Sequence, residues 1–311
     1  MRYTPRFGIT TGNPDKTMQY CVELNTMPSL FSLYRKIFFG RKPGWDGQPL
    51  PHIKVSCDNI HLSVANVAQY AKVCGFDFDG KRLPVTYLHV QAFRLQAYIF
   101  IHPGITFPLL GMIHLRNTIS SYRTLNVDET YRLECQLQSS TETDSGLEFA
   151  LISKAFVADE LVWESTSTYL YRIEKTGRRA RPPKAMPMDW DKPVRWQLSE
   201  DLGRRYAKAS GDYNLIHLHP LLSKRFGFDR VLIHGMWSKA RCIAEMMPAI
   251  SHRPCCVDVA FKLPLFMPAE VTFAAEANGD DAIRFELRDG RGRRAHLSGE
   301  LTFLESQPQQ D

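Results

Sequence analysis

Along this chain a helical hydrophobic period gives way to a strand period, and the alternation happens twice. Leu198, Leu202, Tyr206 and Ala209 recur at helical spacing, which predicts a short helix opening near Ser199. A similar segment opens near Ser63, and in both places the serine is expected to cap free backbone N–H groups. Glu200 and Asp201 suit the positive end of the later helix. A turn-rich stretch then leads to a longer apolar helix at about 235–247, with Met236, Ala240, Ile243, Ala244 and Met247 on one face. Its counterpart falls at about 88–101. Three or four strands follow each long helix; in the second half they read as 257–263, 270–277, 282–288 and 295–304, separated by Pro, Gly and Asp turns. One long helix followed by an antiparallel sheet is an α+β layout with the helix packed on one sheet face.

The repetition extends to the letters. Leu62-Ser63 and Tyr70-Ala71-Lys72 match Leu198-Ser199 and Tyr206-Ala207-Lys208 at a constant offset of 136, and the match continues to Gly75 and Gly211. Further on, 121–130 resembles 262–271 at an offset of 141, and the closing strands 161–171 and 293–303 correspond in type. Six-letter matches arise by chance, but a common order and near-constant offset point to two tandem copies. The expected domains are 1–175, a basic Pro-rich linker at 176–192, and 193–311.

Length and composition bound the rest. The 311 residues are comfortable for two domains, and 44% hydrophobic content supplies an ordinary core. The N-terminus lacks an apolar signal region, and no run of 18 apolar residues offers a spanning helix. The segment 29–39 is amphipathic and sits next to Arg41 and Lys42; it could graze a membrane, although packing on the protein's own surface is favoured. Seven scattered cysteines without a C-x-x-C pair fit a reducing, cytoplasmic setting and argue against a disulfide framework or zinc site. The net charge of +6 favours anionic ligands, including a nucleotide-bearing thioester. The basic run 175–184 has no interleaved aromatics and contains Pro182 and Pro183, so it reads as a solvated linker and no nucleic-acid partner is expected.

The candidate chemistry lies at 206–217, Y-A-K-A-S-G-D-Y-N-L-I-H, followed by His234, Gly235 and Met236. Asp212 offers a carboxylate, His217 an imidazole five residues on, and Gly235 a helix start with free backbone N–H groups. Asp212 alone could be an ordinary turn residue, as Gly, Asp and Asn form turns, and His217 alone a core or surface histidine. Together with H-G-M they make a constellation. In the first copy, Cys74-Gly75-Phe76 replaces Ser210-Gly211-Asp212 and no histidine follows before Pro84, while His89 falls near the position of Gly235. That copy is expected to contribute a binding surface. Phe93, Tyr98, Phe100 and Phe107 would suit an apolar tail, with plain core the default assignment.

S-G-D-Y-N-L-I-H, then H-G-M-W, then F-K-L-P-L-F-M-P-A-E-V strongly resembles the MaoC-like dehydratases, the (R)-specific enoyl-CoA hydratase group, over about 193–306. The resemblance implies tandem hotdog domains, each an antiparallel sheet wrapped around a central helix, the first degenerate. It also implies hydration or dehydration of 2-enoyl and (3R)-hydroxyacyl thioesters. Asp212 and His217 would activate water, and the Gly235 N–H would accept the oxyanion. Asn214, His234 and Met236 would line the substrate, with Asn214 chiefly fixing the turn and His234 orienting the helix start. No metal or cofactor is implied beyond coenzyme A or acyl carrier protein as carrier, with Lys224, Arg225 or Lys262 meeting phosphates. Two copies in one chain would form an internal pseudo-dimer, leaving a homodimer possible. The chain departs from the family pattern at Leu215, where proline is usual, and at Ile243, where some members place a serine. These departures keep open a second class, a non-catalytic acyl-thioester binding or subunit protein.

Overall fold

The computed structural model of the chain describes residues 19–173, 192–250 and 253–305. The linker expected at 176–192, with its basic run, lies outside them apart from Lys192. The chain forms two compact units. The first takes the described parts of Met1–Leu62, Tyr87–His114 and Asp128–Lys175; the second takes Ser63–Thr86, Leu115–Val127 and those of Thr176–Asp311. Two pieces that precede residue 175 are therefore built into the second unit, where a linear cut into tandem copies keeps them in the first.

In the first unit, β1 (Gln19–Leu24) pairs in parallel with β2 (His52–Ile60), and β4 (Tyr131–Thr143), β5 (Gly146–Val157) and β6 (Glu160–Arg172) continue antiparallel. The long helix α3 (Tyr87–Phe100) packs on β2, β4 and β5. Its inner face is mixed. Phe100 and Phe107 are buried against Phe149, with ring centroids 5.8 and 5.5 Å away, so these two aromatics are core. Buried beside them, Gln96 donates to Ser153 Oγ at 3.0 Å, as does the Cys135 thiol at 3.1 Å. The segment expected at 29–39 is α1 (Leu30–Phe39), capped by Ser29 and packed on α3 through the buried Leu33.

In the second unit the strand order is β3 (Ile113–Ser121, from Leu115 onward), β8 (Cys255–Phe261), β11 (Ala295–Phe303), β10 (Ala282–Asp289), β9 (Ala269–Ala277) and β7 (Val194–Leu198), all antiparallel. The long helix α6 (Gly235–Ile250) packs on β10 and β11. The two repeat helices, α2 (Val64–Cys74) and α4 (Leu202–Ser210), lie side by side in this unit, with Tyr70 and Tyr206 ring centroids 6.0 Å apart. Each ends on a left-handed glycine, Gly75 at φ 84° and Gly211 at φ 77°, whose N–H closes on the alanine four residues back. The shared letters Y-A-K and Gly thus encode one helix end twice. Their starts differ. Ser63 accepts from Asn66 N, whereas Asp201 precedes α4 without a side-chain capping bond and Ser199 hydrogen-bonds to the Asp201 carboxylate instead. The serine cap expected at Ser199 is therefore absent.

One charged residue of α6 lies in the core. Lys239 is fully buried, and its ammonium donates to the Asn117 carbonyl at 2.9 Å, to Asn117 Oδ1 at 2.6 Å and to the Val257 carbonyl at 2.9 Å. Three acceptors offset the cost of burying a charge, and burial still lowers its pKa to about 7. No described helix is long and apolar enough to cross a membrane.

Candidate active site

The α4 helix delivers the chain to the site. At its end Gly211 turns the backbone, and Ser210 Oγ accepts from the Asp212 N–H at 3.2 Å. The Asp212 carboxylate in turn accepts from Asn214 N at 3.1 Å, an Asx turn that aims the carboxylate inward. A single 3-10 turn, Leu215–His217, follows and carries His217 round. Leu215 opens this turn, in which His217 N donates to Asn214 O at 3.0 Å and Leu218 N to the Leu215 carbonyl at 3.2 Å.

His217 Nδ1 lies 2.8 Å from the Leu232 carbonyl oxygen. A carbonyl only accepts, so Nδ1 carries the proton and Nε2 keeps its lone pair as a base. By the same reasoning His234 donates from Nε2 to the Asp212 backbone oxygen at 3.0 Å. This leaves its buried Nδ1 as an acceptor with no partner among the described residues. The two imidazoles lie against each other with centroids 3.7 Å apart and their planes tilted by 30°, and the Tyr206 ring leans on His234 at 4.8 Å. The His234 ring also stands 4.0 Å from Asp212 Oδ2. One donor atom each from Asp212, His217 and His234 falls within 4.8 Å of the others. A carboxylate and two imidazoles are also a metal donor set. Two of the four ring nitrogens, however, already donate to carbonyl oxygens, which leaves one nitrogen on each ring for any such ion.

Electrostatics follow burial. Burial raises the Asp212 carboxyl above its usual range, with His217 and the Asn214 N–H pulling the other way. Burial pushes His217 down to about 3, helped by His234 and opposed by Asp212; His234 also falls to about 3, against the pull of its Asp212 carbonyl bond. Both rings are therefore neutral near pH 7. Some 30% of the Asp212 side chain still reaches solvent, so water can reach the carboxylate.

Gly235 is the first residue of α6, and its N–H has no carbonyl one turn back to bond. A Cβ there would meet the Phe261 ring at 2.9 Å, so glycine lets the Phe261 side chain of β8 pack against the helix start without shifting. Met236 is 8% exposed and points into the core, and Asn214 sits in the turn with its Oδ1 buried and unpartnered among the described residues. Lys224, Arg225 and Lys262 are exposed. His219 caps a short helix, α5 (Pro220–Lys224), by accepting from Leu221 N. Ile243 is fully buried.

Two positioning features escaped the sequence. A Cβ on Gly203 would lie 2.3 Å from the His217 carbonyl oxygen, so this glycine lets α4 press against the histidine's backbone. A glycine inside a helix costs stability, and that cost was the available signal of a close approach. The Leu232 carbonyl that fixes the His217 tautomer had no side-chain signature at all.

The family model of the MaoC like domain matches residues 176–299. A 3-hydroxyacyl-thioester dehydratase X of Mycobacterium tuberculosis is 30% identical over 261 residues, covering 82% of this chain and 91% of that protein. The crystal structure of HtdX from M. tuberculosis superposes with a TM-score of 0.70 at 26% identity, over 81% of this chain and all of that one (100%). A further M. tuberculosis protein, described as having a double hotdog fold, matches at a TM-score of 0.52 and 10% identity over 86% and 97% of the two chains, a likeness of fold alone. The chain belongs to the MaoC-like dehydratase family, in its double-hotdog form.

Proposed function

We propose that this protein interconverts 2-enoyl and (3R)-hydroxyacyl thioesters by adding or removing one water. The observation that carries the reading is the Asp212 carboxylate and the His217 imidazole sharing a site within 4.8 Å, next to the start of α6. In the hydration direction a water is held between the carboxylate and His217 Nε2. Its oxygen bonds to C3 as it gives up a proton to this pair, and electrons move through C2 onto the thioester oxygen. The pair then returns a proton to C2, so atoms and charge balance without a redox partner or cofactor beyond the acyl carrier. The Gly235 N–H at the helix start receives the developing oxyanion, a contribution of about 3 kcal/mol for one such donor, with the helix dipole adding to it. Neutral imidazoles suit this role, because a protonated His217 could not accept from water.

The carrier is coenzyme A or an acyl carrier protein, and the exposed Lys224, Arg225 and Lys262 are the cations offered to its phosphates. Seven free cysteines support a reducing, cytoplasmic setting. The test is hydration of crotonyl-CoA, and of a length series on both carriers, followed by loss of enoyl-thioester absorbance. Turnover above background is expected for at least one member. Binding of these thioesters with no turnover across the series would replace this reading with that of a non-catalytic acyl-thioester binding protein.

A further inference from the structure

Of the six large hydrophobic side chains that stand exposed among the described residues, three lie on the ten-residue helix α1: Phe31 at 81%, Phe38 at 40% and Phe39 at 82%. This exposure does not come from a loosely held segment. Leu33 is buried at the helix's inner face, and Arg94 of α3 grips the turn ahead of it, donating to Pro28 O at 2.9 and 2.6 Å and to Met27 O at 3.2 Å. At about 100° per residue, Phe38, Phe31, Arg35, Phe39 and Lys36 fan in that order over about 160° of the outer surface. The helix and the Gly40–Pro43 turn after it contain Arg35, Lys36, Arg41 and Lys42 and no acidic residue.

A cleft of about 580 Å3 opens beside this face, lined by Arg35, Lys36, Phe39, Gly40, Lys42 and Ile101. Lys42 is fixed in the wall, donating to the carbonyl oxygens of His102, at 2.9 Å, and Ile105. Aromatic rings projecting between cations, next to a cationic cleft large enough for a phosphate-bearing headgroup, make one surface with two demands. We propose that the outer face of α1 docks this protein on an anionic lipid bilayer. The phenyl rings enter the interfacial layer and the cations meet lipid phosphates, with no residue crossing the membrane. An acidic protein would answer the cations. It would have to supply a matching apolar surface for rings spread around a convex helix, whereas a bilayer interface supplies both at once. The inference is independent of the site at Asp212.

The full chain should co-sediment with vesicles of phosphatidylcholine containing about 30 mol% phosphatidylserine, and the binding should weaken steeply at about 0.5 M salt. Pure phosphatidylcholine vesicles should capture at least tenfold less. Phe31→Ser with Phe39→Ser, and separately Arg35→Glu with Lys36→Glu, should each lower binding to the anionic vesicles at least tenfold while thermal melting stays unchanged. Equal binding to charged and uncharged vesicles, or full binding by the Phe31→Ser, Phe39→Ser protein, overturns the proposal. So does a wild-type dimer in sedimentation velocity that this double variant converts to monomer, since the face would then be covered by a second copy.

Discussion

His217 donates its Nδ1–H to a backbone carbonyl, and that bond settles which nitrogen can act as base. The neighbouring carboxylate carries the other half of the proton transfer, so Asp212→Asn is expected to lower kcat by about 10²–10⁴-fold. The variant's melting temperature should hold, because the amide oxygen it introduces could still accept from Asn214 N. Retained turnover with the preferred thioester would remove Asp212 from the chemistry. The pH profile is a separate check. Asp212 works ionised, and burial holds its pKa above the ordinary 3.8. Activity should therefore rise with pH through a limb above that value, without a second limb near 6.5, because His217 sits at about 3. A histidine-like limb in kcat/KM would contradict this. Stability runs in the same direction for His234. Its folded value of about 3 lies below the unfolded 6.5, so the unfolded chain gains the proton first. The stabilisation is complete above 6.5 and is lost as pH falls towards 3, at about 1.4 kcal/mol per pH unit. Urea unfolding of the wild type and of His234→Asn should show a shallower pH dependence in the variant.

Two glycines set how closely the elements meet, and they should respond differently to an added methyl. Alanine at 203 meets the His217 carbonyl oxygen at 2.3 Å, a backbone atom that cannot move without carrying the imidazole with it. Alanine's better helix propensity returns about 0.5–1 kcal/mol, but overpacking costs about 1–3 kcal/mol. Gly203→Ala should therefore melt lower and lose kcat, and a gain in melting temperature would show that α4 yields freely. Gly235→Ala meets only the edge of the Phe261 ring, which can turn, so its stability cost should be smaller while kcat still falls. Much of this layer was legible beforehand. The α+β order, both long helices and the Asp212–His217 spacing follow from period and motif, and the repeated Y-A-K…Gly end became two left-handed caps. What could not be read depends on backbone atoms or on burial. A carbonyl orients His217, a carboxylate takes Ser199 away from its helix, and Lys239 lies inside a helix whose period reads apolar.

At the scale of the whole molecule, the second unit is assembled from three separated pieces of chain, and its central helix is tied to the two earlier ones by polar bonds. Trp237 of α6 donates its indole N–H to the Val73 carbonyl at 2.9 Å. Lys239 takes two of its three acceptors from Asn117. The Tyr206 ring leans on Tyr70, and the edge of β8 is completed by β3. A fragment of residues 193–311 retains Asp212, His217 and Gly235, yet it strips these partners away together. It leaves a buried ammonium with one acceptor, an indole N–H without its carbonyl, and an open strand edge. Removing one partner of a buried charge costs about 3–5 kcal/mol, a large share of the roughly 5–15 kcal/mol that holds a whole domain. The fragment is therefore expected to lack a cooperative melting transition by circular dichroism and to show no hydration activity. Residues 1–175 supplied in trans should restore both, since Val73, Asn117 and β3 all lie within them. A monomeric fragment that melts like the full chain would show that the first half is dispensable for building the site.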